Sequence, residues 1–120
     1  MTIAYWIVAG VTALVFLLAG AAKLTQPKAK LQSNMAWVED FSSTSVKLIG
    51  TAEVLGAVGL IVPMLTGIAP ILSPIAGGAL AVLMAGAAVT HVRRHEPPMP
   101  IALALLAAAA AVLGFLVIFS

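Results

Sequence analysis

Four long apolar stretches, at residues 3–22, 46–64, 70–90 and 101–119, limit what this chain can fold into. Each comes close to the roughly 20 residues that a helix needs to cross a hydrocarbon core about 30 Å thick. Soluble domains carry about a quarter of their residues as charges. Here 8% of 120 residues are charged and 62% are hydrophobic. The sequence therefore predicts an all-α membrane protein, a single domain built as a four-transmembrane-helix bundle.

The segments between the spans differ in charge. Every lysine and arginine lies in or beside the first or the third connection, and these two connections must lie on the same side of the membrane. Because lysine and arginine are enriched in cytoplasmic loops, we expect this side to be cytoplasmic and both termini to lie outside the cytoplasm. Tyr5 and Trp6 are then expected at the outer interface. Contacts with lipid head groups are expected from Lys28, Lys30, Arg93 and Arg94.

The first connection, residues 23–45, is long enough to have a structure of its own. Its apolar residues fall on one arc of a helical wheel, which predicts a short interfacial helix between spans one and two. The residues on this arc are Leu31, Met35, Trp37, Val38 and Phe41. The second connection has no charge and several prolines, so it is either a tight turn or a re-entrant dip.

Glu53 lies inside the second span, about 9 Å along the helix from Lys47. A charged side chain in hydrocarbon costs at least about 2.5 to 3.5 kcal/mol, so Glu53 needs a partner, a proton or water. The helical period places it on one face with Gly50, Gly56 and Ala57, which are expected to pack against another helix. The opposite, lipid-facing side is expected to hold Leu48, Leu55, Val58 and Val62.

Candidate partners for Glu53 come from the basic ends of the other spans. Lys23 closes the first span, and its long stem can fold back along the bundle. His91 continues a face of small residues on the third span, formed by Gly77, Ala81, Ala85 and Ala88. We predict a polar pocket made of Lys23, Glu53 and His91. The competing hypothesis is a structural ion pair that fixes the order of the helices and binds nothing.

The composition restricts the remaining chemistry. There is no cysteine, which excludes disulfides and thiolate metal sites. No basic stripe with interleaved aromatic residues is present, so we expect no nucleic-acid partner. His91 and His95 have an i, i+4 spacing, but the arginines between them and the prolines after Glu96 disfavour a metal site. We therefore predict no metal and no intrinsic cofactor.

The sequence resembles the DoxX and DoxX-like family of small integral membrane proteins. The resemblance rests on "AGAAKL" at the close of the first span, on "KLIGTAEVLGAVGLIVP" as the second, on a proline-led third span and on a basic end before the fourth. It implies a four-helix bundle in a bacterial plasma membrane, with Lys23, Gly50, Glu53 and Gly56 as the matching positions. Relatives are associated with quinone-linked oxidoreductases, oxidative-stress complexes or receptor assembly, and a thiol-based role does not transfer to a chain without cysteine.

Two classes of function agree with these observations. In the first, the chain is an accessory subunit of a membrane oxidoreductase or another membrane assembly, and a quinone or lipid binds near Glu53. In the second, it is a structural or chaperone-like membrane protein with no ligand chemistry of its own. Whether it is an enzyme stays open, but without an electron carrier it is not expected to be catalytic alone. Expected partners are membrane lipids and either other membrane subunits or further copies of the chain.

Overall fold

The computed structural model of the protein describes residues 2–26, 41–96 and 100–119, and the regular structure within these ranges is α-helical. Each of its helices is long and apolar enough to cross a membrane. They are α1 (Thr2–Thr25), α2 (Ser43–Thr66), α3 (Leu72–Arg93) and α4 (Pro100–Phe119). Within these ranges, the prediction of an all-α fold with four helices long and apolar enough to cross a membrane is confirmed, with ends that differ from the expected ones by up to three residues.

The predicted interfacial helix lies outside the described residues, except for Phe41. Lys28 and Lys30, two of the cations expected to contact lipid head groups, also lie outside them.

Helix α2 starts and stops at capping residues. The Ser42 hydroxyl accepts a hydrogen bond from the Ser45 N–H at 3.0 Å, so the helix begins three residues before the predicted span. At the other end Gly67 has a left-handed backbone, with φ at 73°, and its N–H donates to the Pro63 carbonyl. Residues 67–71 then form a short turn into α3, as the tight-turn interpretation expects.

The turn also fixes where α3 begins. The sequence suggests a start at Pro70, whereas Pro70 belongs to the turn and the helix begins at Leu72. Pro74 is the third residue of α3 and lies in its first turn. The N–H groups of the first turn have no partner within the helix, so a proline there costs no helical hydrogen bond.

The helices pack as two antiparallel pairs, α1 with α2 and α3 with α4, and contacts between α2 and α3 and between α1 and α4 close the bundle. We call the end that holds Lys23, Lys47 and Arg93 the basic end, and the end that holds the 67–71 turn the turn end. All four helices contribute to the apolar core, which comprises Ala13, Phe16, Ala57, Leu60, Leu80, Met84, Ala107 and Ala110.

Helix α2 has the two unlike faces that its sequence predicts. Gly50, Glu53, Ala57 and Leu60 are buried. Leu48, Leu55, Val58 and Val62, on the other side, are 46% to 65% exposed, which in a membrane means contact with lipid.

The inner face of α3 differs from the predicted one. Ala88 and Gly77 are buried as expected, but Ala85 is exposed, and Leu80 and Met84 are the large residues that face the core. The side of α3 that faces the core is therefore turned about the helix axis from the side that the small residues predict.

A polar cluster near the turn end contains Tyr5. This residue, near the start of α1, points into the bundle: it is fully buried, and its hydroxyl donates to the Leu60 carbonyl. Close by, the Met64 N–H donates to the Ser73 hydroxyl at 3.1 Å. These bonds flank Pro63, which cannot donate to the helical ladder, so side chains from α1 and α3 bind the α2 backbone where proline interrupts it.

Candidate functional site

Helices α1 and α2 approach each other backbone to backbone at Gly20 and Gly50. A Cβ atom placed on Gly20 would lie 2.6 Å from the Gly50 carbonyl oxygen, and one placed on Gly50 would lie 3.0 Å from the Gly20 oxygen and 2.8 Å from the Lys23 Cβ. Both glycines are buried. Only residues without a side chain fit at this crossing, and the stem of Lys23 runs directly over Gly50.

Lys23 and Glu53 each follow one of these glycines by three residues, about one helical turn. Side chains in a helix lean toward its N-terminus, so in two antiparallel helices Lys23 and Glu53 lean toward each other. The Lys23 Nζ lies 2.7 Å from the Glu53 Oε1, within hydrogen-bonding distance. Lys23 is 6% exposed and Glu53 2%. The result is a charge-assisted hydrogen bond inside the bundle, formed between two different spans.

This ion pair forms part of the wall of a cavity of about 610 Å³ at the basic end. The volume falls within the range of roughly 300 to 1,000 Å³ that is common for small-molecule sites, and such sites combine a mostly apolar wall with a few polar groups. His91 also lines the cavity, as do Phe41 and Thr90. Every helix contributes apolar wall residues, among them Ala19, Ile49, Met84, Ala87 and Leu103.

The three residues predicted for the polar pocket thus line one cavity, but they are not all in contact. Among the described residues, Glu53 is hydrogen-bonded to Lys23 and not to His91. The His91 Nδ1 lies 3.8 Å from the Glu96 Oε1, and the same oxygen lies 3.3 Å from the Arg94 Nε. His91 therefore connects the cavity wall with a second group of charges, at the C-terminal end of α3.

The predicted packing residues of α2 meet different neighbours. Gly50 faces α1, as described above. Gly56 faces α3, where an added Cβ atom would lie 2.5 Å from the Leu80 Cδ2. Ala57 belongs to the apolar core with Leu60 and Phe16. Small residues on α2 thus lie against both of the neighbouring helices.

The cations expected at lipid head groups are only partly described. Arg93 is exposed at the end of α3, whereas Arg94 is half-buried beside Glu96. Lys47, which the sequence did not assign to any contact, donates from its Nζ to the Leu24 carbonyl at 3.1 Å. It thereby binds a carbonyl of the last turn of α1, where no backbone N–H group of the helix is available to donate to the carbonyl oxygens.

The spacing of His91 and His95 does not produce a cluster of metal ligands in the described part of the chain. No group of three or more His, Cys, Asp or Glu side chains within residues 2–26, 41–96 and 100–119 could hold a metal ion. His95 lies beyond the end of α3 with a positive φ of 57°, so the i, i+4 geometry of a continuous helix is not present.

Several cavity residues were not predicted from the sequence. Phe41, Thr90 and Leu103 lie on three separate segments, and only the packing of the bundle brings them to the same wall. The one sequence feature that these residues share is their position, since each lies close to the end of a span that belongs to the basic end of the bundle.

Four apolar membrane-crossing helices around a buried lysine–glutamate pair define a small multi-pass membrane protein. A sequence model of the DoxX-like family matches residues 7–114, and the chain belongs to this family. The matched region includes both members of the ion pair and both glycines of the crossing. Searches of curated proteins and of solved structures gave no significant match.

Proposed function

We propose that this DoxX-like protein binds an amphiphilic ligand, a quinone or a lipid, in the cavity at the basic end. We further propose that it acts as an accessory subunit of a membrane oxidoreductase or another membrane assembly. The observation that carries the proposal is the placement of the Lys23–Glu53 pair on the wall of a largely apolar cavity of about 610 Å³. A polar pair beside an apolar space matches a ligand with a polar head and an apolar body.

A purely structural role for the pair is the alternative, and the position of the pair favours binding. A buried ion pair is a poor source of stability, since well-packed apolar residues of similar volume often serve as well or better. Ionisable groups within a membrane span are, for the same reason, functional candidates by default. Lys23 and Glu53 also reach the cavity instead of being enclosed by side chains on every side.

The residues of the wall provide distinct chemical functions. The Lys23 ammonium donates hydrogen bonds, so it can bind a carbonyl or hydroxyl oxygen of a ligand head. The Glu53 carboxylate can accept a hydrogen bond or exchange a proton with that head. His91 lies nearer the end of the bundle, between the cavity and Glu96, and its ring nitrogens can form a hydrogen bond with a ligand or with water. If the ligand is a quinone, its electrons would come from a partner subunit.

Substitution of Glu53 by glutamine tests this proposal. The amide keeps the shape of the side chain but loses the charge, so a ligand held through the Lys23–Glu53 pair should bind about ten-fold more weakly or worse. Binding of decylubiquinone to the detergent-purified protein can be measured by native mass spectrometry, which also identifies lipids and subunits that co-purify. Thr51→Val, on the exposed side of α2, is the matched control and should bind like the wild type.

Equal binding by wild type and a correctly folded Glu53→Gln variant would reject the role of Glu53. Recovery of the wild-type protein alone, with neither lipid nor quinone nor another subunit, would favour the structural or chaperone-like function.

We also propose that the basic end faces the cytoplasm of a bacterial cell and that both termini lie on the opposite side of the plasma membrane. The support is the distribution of basic residues, since Lys23, Lys47 and Arg93 all lie at one end of the bundle. Alkaline phosphatase fused after residue 119 should be active, and the same enzyme fused after residue 96 should be inactive. Reversed activities would contradict this orientation.

A further inference from the structure

A groove on the membrane-facing surface leads to the cavity. It lies between α2 and α3, has a volume of about 460 Å³ and is lined by apolar residues that include Ala52, Leu55, Gly56, Ile75 and Ala79. Val82 and Leu83 line both this groove and the cavity of the Lys23–Glu53 pair. The two spaces therefore adjoin at these two residues. Together we call them the crevice, whose lining extends from Leu72, near the turn end, to Lys23 and Glu53.

The packing of α2 against α3 explains why this crevice exists. These two helices make less extensive contact than α1 with α2 or α3 with α4. Near the turn they approach closely, since a Cβ atom added to Gly59 would lie 2.9 Å from the Ala76 Cβ. Further toward the basic end, Gly56 lies against Leu80, and the small side chains of Ala52 and Ala79 line the groove. Val82, at the junction of groove and cavity, is 74% exposed, so the junction faces the bilayer and not the bundle core.

We propose that the ligand is a long-chain amphiphile with an uncharged polar head, and that it enters sideways from the bilayer between α2 and α3. In this arrangement the head lies beside the Lys23–Glu53 pair and the chain lies in the groove. The inference rests on the proposed function, because it assumes that the cavity binds a ligand head. It adds the class of the ligand, its route of entry and the residues that bind its chain.

The length and lining of the groove favour an apolar chain as its occupant. On α3 the groove extends from Leu72 to Leu83, which is about 16 Å along a helix, longer than an extended decyl chain. The groove residues named above are all apolar and offer no side-chain hydrogen bond. A chain that continues from the cavity would therefore be in apolar contact over its whole length, and its head would meet the first polar groups at Glu53.

The charges near the cavity favour a head without a net charge. Lys23 and Glu53 neutralise each other at 2.7 Å, and Arg94 lies 3.3 Å from Glu96. An anionic head would compete with Glu53 for Lys23 and leave the carboxylate without its counter-ion in an apolar surrounding. An uncharged oxygen acceptor, such as a quinone carbonyl or the hydroxyls of a neutral lipid, can bind without separating the pair.

Ala79→Phe, which fills the groove, tests the inference. It should weaken binding of decylubiquinone by at least about ten-fold, because the decyl chain loses apolar contact, and leave binding of the tail-less parent quinone within about two-fold. Ala85→Phe is the matched control, since Ala85 is exposed on the same helix and lines neither space. It should change neither affinity. Each affinity is measured by titration of the detergent-purified full chain, with folding checked by circular dichroism.

Additional probes separate the possible outcomes. Glu53→Gln should weaken the binding of both quinones. If it does so while Ala79→Phe weakens the binding of neither, the groove does not bind the chain, and this inference fails while the proposed function stands.

The charge of the head is tested with decanoate, which carries a charged head on a chain of similar length. If decanoate bound as tightly as decylubiquinone, the proposal of an uncharged head would be wrong. Monocaprin has an uncharged lipid head: tight binding of monocaprin indicates a neutral lipid as the natural class, and weak binding indicates a quinone. If no probe binds the wild type, the proposed function itself fails.

Discussion

Substitution of Lys23 by methionine is expected to destabilise the bundle by about 3 to 5 kcal/mol. The methionine removes the charge that neutralises Glu53, 2.7 Å away, and leaves the carboxylate 2% exposed between helices. The desolvation cost of Glu53 then has no compensating interaction. The free energy of unfolding can be measured by steric trapping or by denaturation with SDS in mixed micelles.

A double variant separates the effect of the ion pair on stability from its effect on ligand binding. In Lys23→Met with Glu53→Leu both charges are absent, so most of the lost stability should return. If the proposed function is correct, this stable double variant should still fail to bind decylubiquinone. Lys47→Met is the control for loss of a lysine, because Lys47 is exposed and binds one backbone carbonyl; a change within about 1 kcal/mol is expected. A Lys23→Met protein as stable as the wild type would mean that the pair does not hold α1 to α2.

The partner of Glu53 shows how far sequence reasoning reaches. A carboxylate in hydrocarbon must be satisfied, and this rule alone predicts that Glu53 faces the bundle and meets another polar group. Several cations lie at the basic end of the bundle, and the sequence does not decide between Lys23 and His91 as the residue that contacts Glu53. The choice of Lys23 depends on the close crossing at Gly20 and Gly50, which places the lysine stem over α2. His91, on a helix that packs less extensively against α2, lies on the cavity wall instead.

The faces of α2 and α3 differ in how well they could be predicted. On α2, one face carries glycines and a glutamate and the other carries large aliphatic residues, so the pattern shows which side faces the bundle and which side faces lipid. On α3, small and large apolar residues occur on every side. Lipid is as apolar as a protein core, so hydrophobicity on a helical wheel does not distinguish the side that faces lipid from the side that faces the core. The small-residue face inferred for α3 therefore wrongly includes the exposed Ala85.

Tyr5 and the crevice could not be derived from local patterns for a related reason. An aromatic residue near the end of a span is typical of a membrane interface, and this pattern does not reveal that the Tyr5 side chain donates to a carbonyl of α2 near Pro63. That contact joins residues 55 positions apart. The crevice likewise has walls from more than one helix, so it depends on how the helices pack and not on the sequence of any one of them.

The second large effect is expected at the crossing of α1 and α2. Gly20→Ala should destabilise the protein by about 1 to 3 kcal/mol, because the new methyl group would lie 2.6 Å from a backbone oxygen of α2. Unlike a side-chain atom, this oxygen cannot rotate away, so the helices themselves must separate. Gly50→Ala should act in the same direction, since it meets the Lys23 stem and the Gly20 carbonyl.

Gly10→Ala provides a control within the same helix. No atom would lie within 4 Å of the added Cβ, so this change should be neutral or stabilise the helix by up to about 1 kcal/mol. Because separation of α1 and α2 also draws Lys23 away from Glu53, Gly20→Ala should lower ligand affinity as well as stability, although it lies outside the cavity wall. If Gly20→Ala and Gly10→Ala had equal stability and equal affinity, the crossing would not position the ion pair, and the link from these glycines to the site would be wrong.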